Sequence, residues 1–261
     1  MVPKFSFSYR ITATRKGING RLNFGPMKIG IVTFPGSNCD HDAHDVFSRM
    51  TGIEAVQLWH STRDMPALDA VVLPGGFSYG DYLRAGSIAR FSPIMEAVIN
   101  FAWRGGLVLG ICNGFQVLTE AGLLPGGLAR NSGQRFICKH VHLKPASVHR
   151  PFMEGLPAER SAFHIPIAHA EGRFVADEAT LDLLERQAQV LFYYADAQGR
   201  ITPESNPNGS ARNIAGICNE KGNVIGMMPH PERAADRALG NTDGSLILEA
   251  LLRPLRKDLV S

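Results

Sequence analysis

The stretch VLGICNGFQVL, residues 108–118, places a cysteine at a bend between two regular elements. An apolar run precedes Cys112 and a helix-like run follows it, which predicts a strand, a sharp turn and a helix. Gly110 and Gly114 flank the cysteine, where a Cβ atom would crowd so tight a turn. The helix N-terminus carries partial positive charge, which favours the thiolate. The stretch therefore predicts an α/β fold with an activated thiol at a strand-to-helix elbow.

Short apolar runs alternate with helical patterns around this elbow. The first half predicts strands at 28–34, 54–59, 69–76 and 106–111, and helices at 42–50, from Pro93 to Gly105, and after Cys112. This alternation is typical of a mostly parallel sheet flanked by helices, in which ligands bind at the carboxyl ends of the strands. We therefore expect the Gly75–Gly76 turn and Cys112 to lie at the same edge.

The second half of the chain gives a weaker pattern without an internal repeat or a linker, so one domain is expected over 27–261. The elements predicted there are a strand at 135–144, a strand and loop at 162–175, a helix at 179–187, a hairpin at 214–230 and a helix at 245–252. Residues 1–26 contain five basic and no acidic residues. They resemble an organelle transit peptide in this respect, but the strand beginning at Met27 favours a leader or non-native extension without ordered structure.

Composition excludes several classes of protein. The 261 residues are 44% hydrophobic and 20% charged, an ordinary globular composition, and contain no apolar run of the roughly 18 residues that suggests a membrane helix. The net charge of +3 arises in residues 1–26, since 22 basic and 24 acidic residues remain without them. The charge therefore gives no argument for nucleic-acid binding. Four cysteines without CxxC spacing argue against a zinc site and a disulfide framework, and favour a reducing, cytoplasmic compartment.

A nucleophilic thiol requires a base, and nine histidines compete for that role. His230 is the best candidate because it follows the apolar run VIGMM, so it should lie at the same sheet edge as Cys112. Glu232, two residues on, can accept the other imidazole N–H if Pro231 keeps the chain extended. The alternative is a solvated surface loop.

The same elbow provides donors for an oxyanion. The backbone N–H of Asn113, just after the cysteine, is the natural one, and the Gly75–Gly76 backbone is a plausible second. A buried cysteine followed by an ordinary glycine-rich turn remains the alternative interpretation.

Other polar segments give weaker signals. The run DHDAHD, residues 40–45, contains metal-binding residue types, but acidic residues are expected at a helix start, and no metal site is predicted. His140 and His142 fit a solvated strand face. The loop 75–92 suits a functional loop whose Tyr79, Asp81 and Arg84 contact substrate or a partner, or a solvated surface loop. No phosphate-binding or dinucleotide-binding glycine motif is present in the sequence.

Three motifs in this order, LPGG (73–76), GICNGFQ (110–116) and PHPER (229–233), resemble the triad-type (class I) glutamine amidotransferases. Longer phrases, GGFSYGDYLRAG (75–86) and MMPHPER, resemble the members that supply ammonia in purine biosynthesis. The resemblance covers almost all of 27–240 and implies the flavodoxin-like fold of this family. Ala170 stands where the family pattern has a glycine.

The resemblance implies that L-glutamine is hydrolysed to glutamate and ammonia. Cys112 matches the nucleophile, His230 the general acid/base and Glu232 its orienter. Substrate-binding roles are implied for residues at the elbow and at the oxyanion turn: Gly75, Gly76, Asn113 and Gln116. Residues 169–174 match a loop that closes over the substrate.

The resemblance also implies partners. Because the chain has no ATP motif, a separate synthetase subunit with ATP and magnesium would convert formylglycinamide ribonucleotide to formylglycinamidine ribonucleotide, and a small third subunit would complete the assembly. This chain itself would need no cofactor. Two alternatives remain from the residues alone: a stand-alone hydrolase of the same fold, and a non-enzymatic redox or binding protein that uses the same cysteine elbow.

Overall fold

The structure, a computed structural model, describes residues 25–257. Its strands in chain order are β1 (Met27–Thr33), β2 (Ile53–Trp59), β3 (Ala70–Leu73), β4 (Leu107–Ile111), β5 (Gly127–Ala129), β6 (Ile137–Pro145), β7 (Phe163–His169), β8 (Arg173–Val175), β9 (Val190–Ala195), β10 (Ile214–Cys218) and β11 (Val224–Met227). Its α-helices are α1 (Asp40–Arg49), α2 (Pro93–Trp103), α3 (Asn113–Glu120), α4 (Glu178–Arg186) and α5 (Asp243–Lys257). Nearly all of the predicted leader, residues 1–24, lies outside the described residues.

Nine of these strands form one sheet of order β2-β1-β3-β4-β11-β10-β9-β6-β7. The strands from β2 to β11 pair in parallel, and those from β11 to β7 pair antiparallel. A separate two-stranded ladder joins β5 and β8. The predicted α/β fold class is confirmed, with the parallel half carrying the elbow.

The parallel half is built from short runs that are buried along their whole length. All residues of β3, β4 and β11 are buried, as expected for strands covered on both faces. Helix α3 packs against β3, β4 and β11, and α2 packs against β4. Among residues 25–257, none of the helices has the length and apolar character that a membrane span requires.

Most predicted elements lie within two or three residues of the observed ones. The predicted hairpin is confirmed, because β10 and β11 pair antiparallel with Gly216 opposite Met227. Strands β5 and β9 were not predicted, and α5 extends beyond its predicted range at both ends. Ser92 occupies the N-cap position of α2, but its hydroxyl bonds the Tyr79 hydroxyl at 2.9 Å instead of capping the helix.

The order of strands determines where the chemistry lies. Strand β4 lies between β3 and β11, with Leu73 opposite Gly110 and Met227 opposite Ile111. The chain segments that follow these three strands therefore emerge at one edge of the sheet. They carry the Gly75–Gly76 turn, Cys112 and His230.

Candidate active site

Cys112 occupies a strained backbone position between β4 and α3. Its φ is 49° and its ψ is −106°, in a region that non-glycine residues rarely adopt. Its N–H donates to the carbonyl of Met227 at 2.8 Å, which anchors the turn to the neighbouring strand. The side chain is 4% exposed, and its Sγ lies 3.8 Å from the carbonyl oxygen of Ala168. These contacts fix the orientation of the Cys112 side chain at the end of β4.

The two glycines around Cys112 are required by close packing. A Cβ on Gly114 would lie 1.9 Å from the carbonyl oxygen of Leu73, and one on Gly110 would lie 2.5 Å from Leu118. Helix α3 therefore approaches the end of β3 more closely than a side chain would allow. This approach brings the elbow against the turn that follows β3.

His230 and Glu232 form a buried pair. Nδ1 of His230 lies 2.6 Å from Oε1 of Glu232, and both side chains are almost fully buried. Burial opposes the charged ring, but the negative charge of Glu232 and the neighbouring sulfur of Cys112 outweigh it, so the pKa of His230 lies well above its usual range. Nε2 of His230 is buried and has no hydrogen-bond partner among the described residues. The ring is thus oriented by Glu232 and ready to exchange a proton.

The turn after β3 packs directly on this histidine. A Cβ on Gly75 would lie 2.6 Å from Cε1 of His230. Gly76 has a φ of +133°, and a Cβ there would lie 2.6 Å from the backbone nitrogen of Asn38. Within residues 25–257 the N–H groups of Gly76 and Asn113 donate no hydrogen bond. Both predicted oxyanion donors are therefore available at the sheet edge that holds Cys112.

The side chains of Asn113 and Gln116 lie in an internal network. Nδ2 of Asn113 donates to Oε1 of Gln116 at 2.8 Å, and Nε2 of Gln116 donates to the carbonyl of Glu171 at 2.6 Å. Both polar ends of Gln116 are therefore engaged, and the network ties α3 to the segment after β7. A direct contact of Gln116 with substrate stays a prediction.

A cavity of about 220 Å³ opens beside His230. Its lining combines residues of the predicted site with residues that the sequence analysis did not select: Asn38, Cys39, Gly76, Phe77, Phe136, Cys138, Ala168, His230 and Arg233. Ala168 links the cavity to the nucleophile through the contact of its carbonyl with Cys112. The cavity is thus the space in which a small substrate can meet the histidine.

Cys39 and Arg233 are site residues that sequence reasoning missed. The guanidinium of Arg233 donates to Sγ of Cys39 at 3.2 Å and to Asp42 at 2.9 Å. Burial lowers the pKa of Arg233, but Cys39 and Asp42 outweigh it, so the pKa is raised. The available signals were the position of Cys39 in FPGSNCD and that of Arg233 at the end of PHPER.

A second buried histidine lies near the first. Nδ1 of His169 lies 3.1 Å from Oδ1 of Asn131, which also accepts the N–H of Gly172. Because that oxygen is an acceptor, Nδ1 of His169 carries the proton. Burial, and then the charge of His230, lower the pKa of His169 to about 4, so this ring stays neutral at pH 7. Asn131 thereby fixes the segment 169–174 that the sequence analysis placed over the substrate.

The loop 77–91 packs against the elbow. Oδ1 of Asn113 accepts the N–H of Ser78 at 3.2 Å, and Nδ2 of Asn113 donates to Asp81 at 3.3 Å. Burial, and then the charge of Glu171, raise the pKa of Asp81 to about 6. Arg84 forms a two-point ion pair with Glu120 on α3, at 2.5 and 2.7 Å. The loop is therefore attached to the helix that carries the nucleophile.

The carboxylates of the DHDAHD run and the histidines of β6 have partners of their own. Asp40 accepts from the Thr33 hydroxyl and Asp42 pairs with Arg233, so these carboxylates of the DHDAHD run have separate partners. His140 stacks on His164 of the neighbouring strand with ring centroids 4.6 Å apart.

The chain is similar to a known protein family and to named relatives. Residues 26–244 match the family described as the CobB/CobQ-like glutamine amidotransferase domain. The chain is 54% identical to phosphoribosylformylglycinamidine synthase subunit PurQ of Koribacter versatilis, over 88% of this chain and all of the relative. It is 56% identical to the protein of the same name from Thermosynechococcus vestitus, over 86% of this chain and 93% of the relative.

Solved structures show the same similarity. A chain in the structure of PurLQS from Thermotoga maritima is 38% identical, with a TM-score of 0.76 and coverage of 88% of this chain and 99% of that chain. A glutamine amidotransferase of T. maritima is 17% identical with a TM-score of 0.53, covering 90% of this chain and 86% of that one, a likeness of fold alone.

Proposed function

Because this chain belongs to the glutamine amidotransferase family, we propose that its elbow and buried histidine form a glutaminase site. The chain is the glutaminase subunit of phosphoribosylformylglycinamidine synthase in purine biosynthesis. It hydrolyses L-glutamine to glutamate and ammonia. The observation that carries the assignment of residues is the meeting of Cys112 with the His230–Glu232 pair at one sheet edge.

The reaction begins at the thiolate of Cys112, which attacks the side-chain amide carbon of glutamine. The N-terminus of α3 and the protonated His230 both lie beside this sulfur. Negative charge then develops on the amide oxygen, where the N–H groups of Asn113 and Gly76 can donate to it. One such donor typically contributes on the order of 10²–10³ in rate.

His230 transfers the proton that the leaving group needs. Its raised pKa keeps it protonated beside the thiolate, so it can protonate the departing nitrogen and release ammonia. The neutral ring then accepts a proton from water, which attacks the γ-glutamyl thioester and yields glutamate. Glu232 fixes the ring through Nδ1 in both steps and stabilises its charged form.

The ammonia passes to a partner, and this chain needs no cofactor of its own for the hydrolysis. We place ATP and magnesium on the synthetase subunit, where formylglycinamide ribonucleotide becomes formylglycinamidine ribonucleotide, and expect a small third subunit. The names of the relatives and the PurLQS structure support these partners. The purine pathway and the unpaired cysteines favour a cytoplasmic location.

The test is the Cys112→Ala substitution in the assembled complex, with Cys218→Ala as control. Cys218 is a buried thiol whose pKa burial raises to about 11, so the control removes an inert sulfur. C112A should lose glutamine-dependent synthesis but keep synthesis supplied with ammonium salt, while C218A keeps both. Release of glutamate by C112A at the wild-type rate would refute the assignment of the nucleophile.

Two further measurements separate the alternatives. A stand-alone hydrolase would show a glutaminase rate unaffected by added synthetase, whereas the proposed subunit should be stimulated by it. A redox or binding protein would form no covalent adduct with a glutamine analogue that carries an electrophile. The proposed site should form one adduct, at Cys112, detectable by peptide mass spectrometry.

A further inference from the structure

We propose that Cys39, His230 and Glu232 form an inhibitory binding site for a thiophilic divalent cation of the zinc class. These residues come from three places: the N-cap position of α1, the segment after β11, and the short turn that follows it. One potential ligand atom from each lies within 4.8 Å of the other two, and all three side chains are buried. The inhibition rests on the proposed glutaminase function, whereas the binding does not.

The ligand set fits zinc chemistry. Zinc is bound by one sulfur at about 2.3 Å and by imidazole nitrogen and carboxylate oxygen at about 2.0–2.2 Å, usually with tetrahedral geometry. Ligand atoms around such an ion are about 3–4 Å apart. The present separations of up to 4.8 Å therefore require side-chain shifts of only about 1 Å. Three protein ligands leave a fourth position for water, which is the arrangement of accessible zinc sites.

Arg233 holds the sulfur of Cys39 beside the cluster. Arg233 donates to Sγ of Cys39 at 3.2 Å, a contact that a bound metal would replace. The guanidinium itself is paired with Asp42, so its own charge is balanced.

The cation has a route to the cluster, and two buried polar atoms there lack a partner within residues 25–257. Cys39 and His230 both line the cavity of about 220 Å³. Nε2 of His230 and Oε2 of Glu232 are buried and have no hydrogen-bond partner within residues 25–257. Each is a polar atom whose burial costs free energy until it finds a partner.

Binding here would stop the reaction. The ion would occupy the proton-transfer group and the carboxylate that orients it, while leaving Cys112 in place. A chelator would restore activity, because no covalent bond to carbon is formed. This site could not be predicted from the sequence, because Cys39 lies about 190 residues from His230 and Glu232.

Binding is tested without catalysis by titrating the C112A chain with Co²⁺. One equivalent should bind with a thiolate-to-cobalt charge-transfer absorption that Zn²⁺ abolishes. The additional Cys39→Ser substitution should remove the band, and Cys218→Ala, which removes another thiol, should not. Absence of the band in C112A, or its persistence with C39S, would overturn the proposal. If C39S unfolds, Glu232→Gln in the C112A chain replaces it and should weaken binding at least about 10-fold.

Inhibition is tested in the assembled complex. Zn²⁺ should inhibit glutamine-dependent synthesis reversibly and leave ammonium-dependent synthesis intact. With C39S the inhibitory concentration, relative to that variant's own rate, should rise at least about 10-fold. An unchanged inhibitory concentration would mean that the ion bridges Cys112 and His230 instead. A complex with no glutaminase activity at all would refute the proposed function, while the Co²⁺ titration would still decide the binding site.

Discussion

Replacing Gly114 by alanine should damage the elbow by a predictable amount. The new Cβ would lie 1.9 Å from the carbonyl oxygen of Leu73, whereas ordinary contact begins at 3.4 Å. The start of α3 must therefore move away from β3 by about 1.5 Å, or the end of β3 must shift. Overpacking of this kind costs about 1–3 kcal/mol of folding free energy.

The movement acts on catalysis because Gly114 is two residues from Cys112. The thiol and the N–H of Asn113 would both leave their positions, and a displacement of about 1 Å can cost on the order of 10²-fold in rate. We expect G114A to lower kcat for glutamine hydrolysis by at least that factor. Synthesis supplied with ammonium salt should be unchanged.

The matched control is Gly133→Ala, since a Cβ at Gly133 meets nothing within 4 Å. Glutamate release by the assembled complex gives the rate, and urea unfolding of the isolated chain gives the stability. A G114A chain with wild-type stability and a rate within 3-fold of wild type would show that the close approach of α3 to β3 is not needed. Loss of activity in G133A as well would show that the effect is not specific to the elbow.

Two further changes test the electrostatics of the site. Glu232→Gln removes the anion that raises the pKa of His230, so the imidazolium should lose its proton at lower pH. The alkaline limb of the kcat/KM profile should therefore move to lower pH, and kcat should fall on the order of 10²–10⁴-fold. An unmoved limb would contradict the role of Glu232. Asp81→Asn removes a carboxyl whose pKa is raised to about 6, so its ionisation destabilises the fold as the pH rises through 6. D81N should therefore be more stable than wild type at pH 8, by only about 1 kcal/mol because solvent screens this partly exposed group. Urea unfolding should show that the gain in stability vanishes near pH 4. Equal stability of the two chains at pH 8 would contradict the burial penalty.

The elbow and its neighbours could be predicted because their signals are local. Gly110 and Gly114 mark the tight turn around Cys112, and the apolar runs of β3 and β4 mark buried parallel strands. The H-x-E spacing also fixes the relation of His230 to Glu232 without knowledge of the fold. These features depend on residues that are close in sequence.

The environment of the triad could not be predicted because it depends on distant residues. Cys39 reaches His230 across nearly the whole chain, and nothing in FPGSNCD indicates a contact with PHPER. Likewise, the position of Asn131 beside His169 depends on where β7 lies in the antiparallel half. The left-handed conformations of Tyr79, Asp81 and Leu83 could not be predicted either, since non-glycine residues rarely adopt a positive φ.

The same dependence on local signals explains the missed strands. Strand β9 reads as a uniformly apolar run, which can be a strand or a buried helix segment. Strand β5 has only three residues and is held by pairing with β8. Whether these two segments form strands depends on their tertiary partners rather than on their own residues.

The placement of β11 has a consequence for how the protein is made. Cys112 emerges early during synthesis, yet the strand beside β4 and the carbonyl of Met227 that anchors the cysteine come more than a hundred residues later. Until β11 inserts, β4 has an unpaired edge and the thiol has no fixed direction. His230 lies just after β11, so the late insertion of β11 both pairs the free edge of β4 and completes the catalytic group. A growing chain therefore carries its nucleophile through the synthesis of more than a hundred further residues without the means to use it.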